Sequence, residues 1–235
     1  MKTQETVSKQ LPFGFSKFEL GLWLTSVVVI LCSFVISRNT AWLYLVTSLV
    51  GATGLIFLAK GNVTGQILTV VFSILYGIIS YSYRYYGEMI TYLGMTLPIA
   101  AVSVIAWLRH PYRGRKSEVQ VNKLRPAEYA GMALAGVVVT LLFGLLLKRL
   151  NTANLILSTV SVLTSFVAVY LSMRRSPYYA LGYAANDAVL IALWLLASAE
   201  EPEYLCMVFC FVAFLANDVY GFVSWRRMGA RQNAS

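Results

Sequence analysis

The chain has 235 residues, 58% of them hydrophobic and only 12% charged, with a formal net charge of +9. Soluble domains carry roughly a quarter charged residues, so this composition excludes a water-soluble fold, whose surface would be apolar and prone to aggregate. The positive balance is not a nucleic-acid footprint either: Lys and Arg sit in short loops between apolar blocks, and no nucleic-acid partner is expected.

Residues 1–19 read as a polar tail with no cleavable leader pattern. Eight apolar blocks follow, each near the roughly 20 residues that cross a bilayer as a helix. They cover 20–37, 41–59, 64–82, 89–108, 128–147, 152–171, 178–198 and 203–225. Barrel strands are about half that length and alternate in polarity, so the prediction is an all-α polytopic membrane protein of about eight transmembrane helices. The bilayer is its solvent.

Most spans are featureless, and the exceptions are informative. The third begins with Gln66 and carries Thr69, Ser73 and Tyr76 on one helical face. A basic connection, 109–127, divides the chain and is expected to be a solvated linker. Span 128–147 then leads to 152–171, where Thr159, Ser161, Thr164 and Ser165 mark a packing seam. In 178–198, Tyr179, Tyr183, Asp187 and Trp194 fall in a single stripe. Phe214, Asn217, Asp218, Gly221 and Trp225 form another in 203–225, and 226–235 closes the chain as a basic tail.

Orientation checks the count. With eight spans, 15 of the 19 Lys and Arg residues fall on one side and 4 on the other, which places both termini in the cytoplasm. The two halves also show a faint repeat. Lys60 precedes Trp107 by 47 residues and Arg175 precedes Trp225 by 50, each running from a basic turn to a membrane exit. Two three-helix units, 41–108 and 152–225, joined by 128–147, would form a parallel repeat with a substrate site between them, and 20–37 stands outside it.

Ionisable groups within spans are costly and are candidates for function. Asp187 and Asp218 are such groups, each following an Asn, Asn186 and Asn217. Aromatic faces with carboxamides and carboxylates suit a flat heteroaromatic ring bearing hydroxyls or a positive charge. Tyr183, Asn186, Asp187, Trp194, Asn217, Asp218, Gln66 and Tyr76 are therefore the expected substrate contacts. An intramembrane aspartyl enzyme or a proton-coupled carrier would use the same two aspartates. Other chemistries lack their residues: there is no Walker lysine motif, and His110 is the single histidine. Cys32, Cys206 and Cys210 lack metal-ligand spacing and are expected to be small buried hydrophobes. No catalytic role, cofactor or metal is expected.

Lys60-Gly61, Tyr86-Gly87-Glu88, the Trp107 exit, the Arg174-Arg175 turn and Gly221-x-x-x-Trp225 occur in an order and spacing that resemble the PnuC family of vitamin-precursor transporters. The resemblance covers about 41–228. It implies a three-plus-one-plus-three fold related to the SWEET transporters, with 20–37 as the additional N-terminal helix of some members, and residence in a bacterial inner membrane. It further implies facilitated diffusion of nicotinamide riboside, or in other branches thiamine, riboflavin or deoxynucleosides, with a cytosolic kinase trapping the substrate. A homotrimer is implied by resemblance alone. Nicotinamide-riboside members carry a Trp-x-x-Trp pattern, which, aligned on Asp187, falls here at Ala180 and Tyr183.

Overall fold

The structure, a computed structural model, describes residues 14–37, 41–82 and 85–234. Residues 1–13, with Lys2 and Lys9 of the expected tail, and the loop cations Arg38 and Arg84 lie outside the described residues.

Eight helices are long and apolar enough to cross a membrane: α1 (Lys17–Ile36), α2 (Trp42–Ala59), α3 (Val63–Ser82), α4 (Tyr86–Arg109), α5 (Pro126–Arg149), α6 (Leu155–Met173), α7 (Tyr179–Glu200) and α8 (Leu205–Ala234). All eight predicted spans are present. Helix α8 runs to Ala234, so the stretch 226–235 expected as a tail is helical through all its described residues, with Met228 and Gly229 buried.

Helix α4 is not regular. Residues Thr91–Thr96 form a π-helical turn, with the Leu97 amide donating to the Tyr92 carbonyl. Pro98 follows and lacks the amide that an α-helical ladder would need, which is a sufficient cause for the interruption.

Helix α1 packs on α2 and α8. Its Trp23 indole donates to Thr53 Oγ1 at 3.1 Å, and Glu19 pairs with Lys60 at 3.2 Å. Helix α5 is the most peripheral, burying only Gly136 and Leu147 while Leu134, Leu141 and Leu145 stand outward.

Helices α2–α4 and α6–α8 are the segments expected to form the two three-helix units, and contacts between them occupy matching positions. The Trp107 indole, at the end of the first unit, donates to the Ser172 carbonyl at 2.9 Å. The Trp225 indole, at the end of the second, donates to the Leu58 carbonyl at 2.7 Å. Ser172 and Leu58 each stand two residues before the helix-ending caps, Arg174 and Lys60. The next residues, Gly61 and Arg175, both adopt a left-handed backbone, φ +65° and +58°.

The expectation that 109–127 is a solvated linker is corrected. It contains a short hairpin, β1 (Pro111–Tyr112) and β2 (Arg115–Val119), whose exit strand is docked. The Val119 amide donates to the Gly61 carbonyl at 2.9 Å and the Asn122 amide to the Arg175 carbonyl at 3.0 Å. Val119 itself is buried. The turns carry inward-directed carbonyls that need donors, and the loop supplies one to each unit. It is a clasp across the basic end of the bundle.

Candidate functional site

Near the middle of the bundle, α2, α3 and α4 of the first unit face α7 and α8 of the second across a cavity. Gly51 and Gly54 on α2 leave room for it; a Cβ at Gly51 would come within 2.2 Å of the Phe214 ring. The lining is mostly aromatic: Phe72, Tyr92, Tyr183, Phe211 and Phe214. Phe72 lies 5.9 Å from Tyr92 and 5.6 Å from Phe214, ring centre to ring centre. Asp187 and Asp218 complete the wall, both buried, with their carboxyl groups meeting side chain to side chain. Asp187 Oδ2 and Thr96 Oγ1 are buried without a hydrogen-bond partner. No Lys or Arg lines the cavity.

Aromatic clusters stand beyond the cavity toward both ends of the bundle. Toward the end opposite the clasp, Trp194 donates to Tyr76 Oη at 3.0 Å and packs edge-on against Tyr85 and Tyr204. Toward the clasp, Trp225 packs between Trp107, 5.4 Å away, and Tyr179, 5.0 Å away. The cavity volume is about 40 Å³. That holds a water or two, not a nucleoside.

The eight residues expected to contact substrate are divided by the structure. Tyr183, Asp187 and Asp218 line the cavity. Tyr76 and Trp194 form the plug beyond it, so Trp194 is not among the lining residues where stacking on a ligand was expected. Asn186 turns to α6, its amide oxygen accepting from Thr164 and Ser165 at 2.9 Å and from Ser161 at 3.2 Å. Asn217 turns to α1, its amide donating to Ser26 Oγ at 2.8 Å. Gln66 donates to Ser172 Oγ at 2.6 Å, joining α3 to α6. These three are interhelical bridges, and for Asn186 and Asn217 the cause is that successive helical residues point about 100° apart, so the neighbouring Asp faces the cavity instead. Of the positions matching the Trp-x-x-Trp pattern, Tyr183 reaches the cavity and Ala180 is fully buried elsewhere.

Residues not anticipated include Phe72, Tyr92, Thr96 and Phe211, whereas Phe214 belongs to the stripe expected in 203–225. Phe72 and Thr69 share a helical face with Tyr76, so the third-span stripe signalled them weakly. Tyr92 and Thr96 carried no signal, since the π-turn that brings them to the wall is invisible to a regular helical period. Glu88 was also missed. It is buried, accepts from Ser161 at 3.3 Å, and leaves Oε1 unpartnered.

Cys206 and Cys210 are buried as expected, whereas Cys32 is exposed on α1. Among the described residues no cluster of His, Cys, Asp or Glu is arranged to hold a metal ion.

The bridging role of Asn186 makes a stability prediction. Asn186→Ala removes the acceptor shared by Ser161, Thr164 and Ser165 and is expected to cost roughly 1–2 kcal/mol. Thermal unfolding in detergent would register it as a lowered midpoint, and an unchanged midpoint would refute the bridge.

Comparison with known proteins places this arrangement. The nicotinamide mononucleotide transporter family matches residues 41–227. A nicotinamide riboside transporter PnuC from Neisseria mucosa is 27% identical over 230 residues, covering 96% of this chain and 87% of that protein. One from Haemophilus influenzae is 22% identical over 221 residues, covering 94% of each. The crystal structure of the vitamin B3 transporter PnuC is similar with a TM-score of 0.81 and 27% identity, covering 94% of this chain and 95% of that one.

Proposed function

The chain belongs to the nicotinamide mononucleotide transporter family, whose members are membrane transporters rather than enzymes, and from that premise we propose that it imports nicotinamide riboside. The observation that carries the substrate choice is the make-up of the cavity wall. Two carboxyls and five aromatic rings line it, and no cation does. Nicotinamide riboside is a pyridinium cation with sugar hydroxyls. Its ring suits the aromatic wall and its charge suits Asp187 and Asp218. The mononucleotide bears a phosphate that would meet these carboxyls with no Arg or Lys to offset them. Riboflavin and deoxynucleosides are uncharged and would leave the carboxyls without a partner, and the names of the relatives favour nicotinamide riboside over the other cation, thiamine.

The residues assigned to substrate are Tyr183, Asp187 and Asp218 with Phe72, Tyr92 and Phe214. Asn186, Asn217 and Gln66 act on the site by holding its helices in place. A nucleoside enters a cavity of about 40 Å³ only after the units part. The two aromatic plugs are therefore the gates of an alternating-access cycle, opening in turn as α2–α4 and α6–α8 rock about the site. The π-turn beside Pro98 is the pliable part of the wall. The cycle is facilitated diffusion, with phosphorylation in the cytosol preventing return. Both termini and the clasp lie on the cytoplasmic side of a bacterial inner membrane, following the excess of Lys and Arg there. A trimer is the proposed assembly, in line with the family resemblance.

Counterflow in proteoliposomes tests this directly. Vesicles preloaded with unlabelled nicotinamide riboside should accumulate the labelled compound without any ion gradient, and external mononucleotide should not compete. Equal competition by the mononucleotide would overturn the charge argument. Exchange that required a proton gradient would instead assign Asp187 and Asp218 to proton coupling.

A further inference from the structure

The central cavity is not the largest hollow in the molecule. At the basic end, residues 121–124 of the clasp, the start of α7 and the last turns of α8 line a second, open one of about 420 Å³. That is within the range of ligand pockets, roughly 300–1,000 Å³. Its walls contain Lys123 and Arg226 and no Asp or Glu. The neighbouring carboxylates are committed elsewhere: Glu118 accepts from Arg231 and Gln232, and Glu128 pairs with Arg174. Among the ion pairs of the described residues, none involves Lys123 or Arg226.

Arg226 does donate to Tyr178 Oη at 3.2 Å, which leaves the Tyr178 hydroxyl proton directed elsewhere. Lys123, Arg226 and Tyr178 thus offer a cluster of donors with net positive charge and no facing carboxylate. The side-chain amides of Asn122 and Asn233 each give one N–H to the Arg174 and Gly229 carbonyls, which holds them in the wall. Charge-assisted bonds to phosphate oxygens are the strongest use of such a group.

We infer that this cavity is a binding site for a phosphate-bearing anion, held by Lys123 and Arg226 with Tyr178. The shared chemistry is a phosphate with an organic substituent, since the volume far exceeds a bare ion. Two sources supply it at this height in the molecule: the headgroup of an anionic phospholipid, or a soluble phosphorylated nucleoside. One wall is the clasp that bonds both units, so an occupant here braces the clasp.

The test uses the full chain in phosphatidylcholine nanodiscs. Phosphatidylglycerol is added to the bilayer in one arm, and inorganic phosphate or uridine 5′-monophosphate to the buffer in another. At least one source should raise the thermal unfolding midpoint. The double variant Lys123→Gln/Arg226→Gln should weaken the apparent affinity about tenfold or more. Arg113→Gln/Arg115→Gln removes the same charge outside the cavity and should leave it unchanged. A shift with phosphatidylglycerol alone supports the headgroup, a shift with the soluble compounds alone supports the metabolite, and both together support a common phosphate site. No shift in any arm, or equal weakening in both double variants, overturns the proposal. Amine acylation of the unaltered chain, read by mass spectrometry, is an independent check. The anion should protect Lys123 and leave Lys148, at the opposite end, unchanged; unprotected Lys123 would also overturn it.

Discussion

Asp187→Asn is expected to reduce counterflow of nicotinamide riboside by roughly thirtyfold or more, to near the background of protein-free vesicles. The substitution keeps the shape of the side chain and removes its capacity to carry a negative charge. Asp187 is 4% exposed, lies among aromatic rings, and has one carboxyl oxygen without a partner. A cation taken from water into such a place relies on that charge, and losing a desolvated charge contact costs roughly 2 kcal/mol or more. Asp218→Asn should also reduce counterflow, because the two carboxyls meet and both line the cavity. Stability should move the other way. Two carboxyl groups in contact within a low-dielectric interior repel when charged, so neutralising one should leave the unfolding midpoint unchanged or raised. A folded Asp187→Asn protein that exchanges at the wild-type rate would place the substrate elsewhere.

Gly65→Ala is expected to abolish recovery of folded protein, whereas Gly51→Ala should fold and fail to transport. Both add one methyl group, and what the methyl meets decides the outcome. At Gly65 the added Cβ falls 2.5 Å from the Leu58 amide nitrogen and 2.9 Å from its Cα. These are backbone atoms, so the α2–α3 turn itself must open. Opening it also moves the Leu58 carbonyl away from the Trp225 indole that it accepts from. Overpacking of a well-packed interior costs roughly 1–3 kcal/mol, and a clash with fixed backbone is at or beyond the top of that range. At Gly51 the neighbours are the far ends of the Phe214 and Phe72 rings. Rings can turn aside, so the fold survives, but they turn within the cavity itself. Size-exclusion profiles and counterflow on the two variants separate the cases; a well-folded Gly65→Ala or a fully active Gly51→Ala would contradict the packing argument.

Much of this was legible in the order of residues. The eight spans could be counted because a backbone crossing lipid must satisfy its own hydrogen bonds, and only an apolar run of about 20 residues does so as a helix. Asp187 and Asp218 stood out because a carboxylate within such a run is costly and rarely incidental. Gln66, Asn186 and Asn217 illustrate the limit. As polar residues in spans they looked equivalent to the aspartates, yet each is bonded to a neighbouring helix: Gln66 to Ser172, Asn186 to Ser161, Thr164 and Ser165, Asn217 to Ser26. Helical phase separates Asn186 from Asp187 but does not say which of them faces a neighbour and which faces the cavity.

The sequence by itself determined the solvent of this protein, the number of its spans, the excess of charge at one end, and the two buried carboxyls. These are local properties, set by composition and spacing along one helix at a time. Only the tertiary structure decided that the carboxyls meet each other, that Trp194 belongs to a plug and not to the cavity wall, and that the basic loop is a clasp. It also decided that Tyr92 and Thr96 reach the cavity, through a π-turn that breaks the helical period. Each of these depends on which helix lies opposite which, and that is settled by packing between segments distant in the chain, 21 residues apart for the bond Ser165–Asn186 and 191 for Ser26–Asn217.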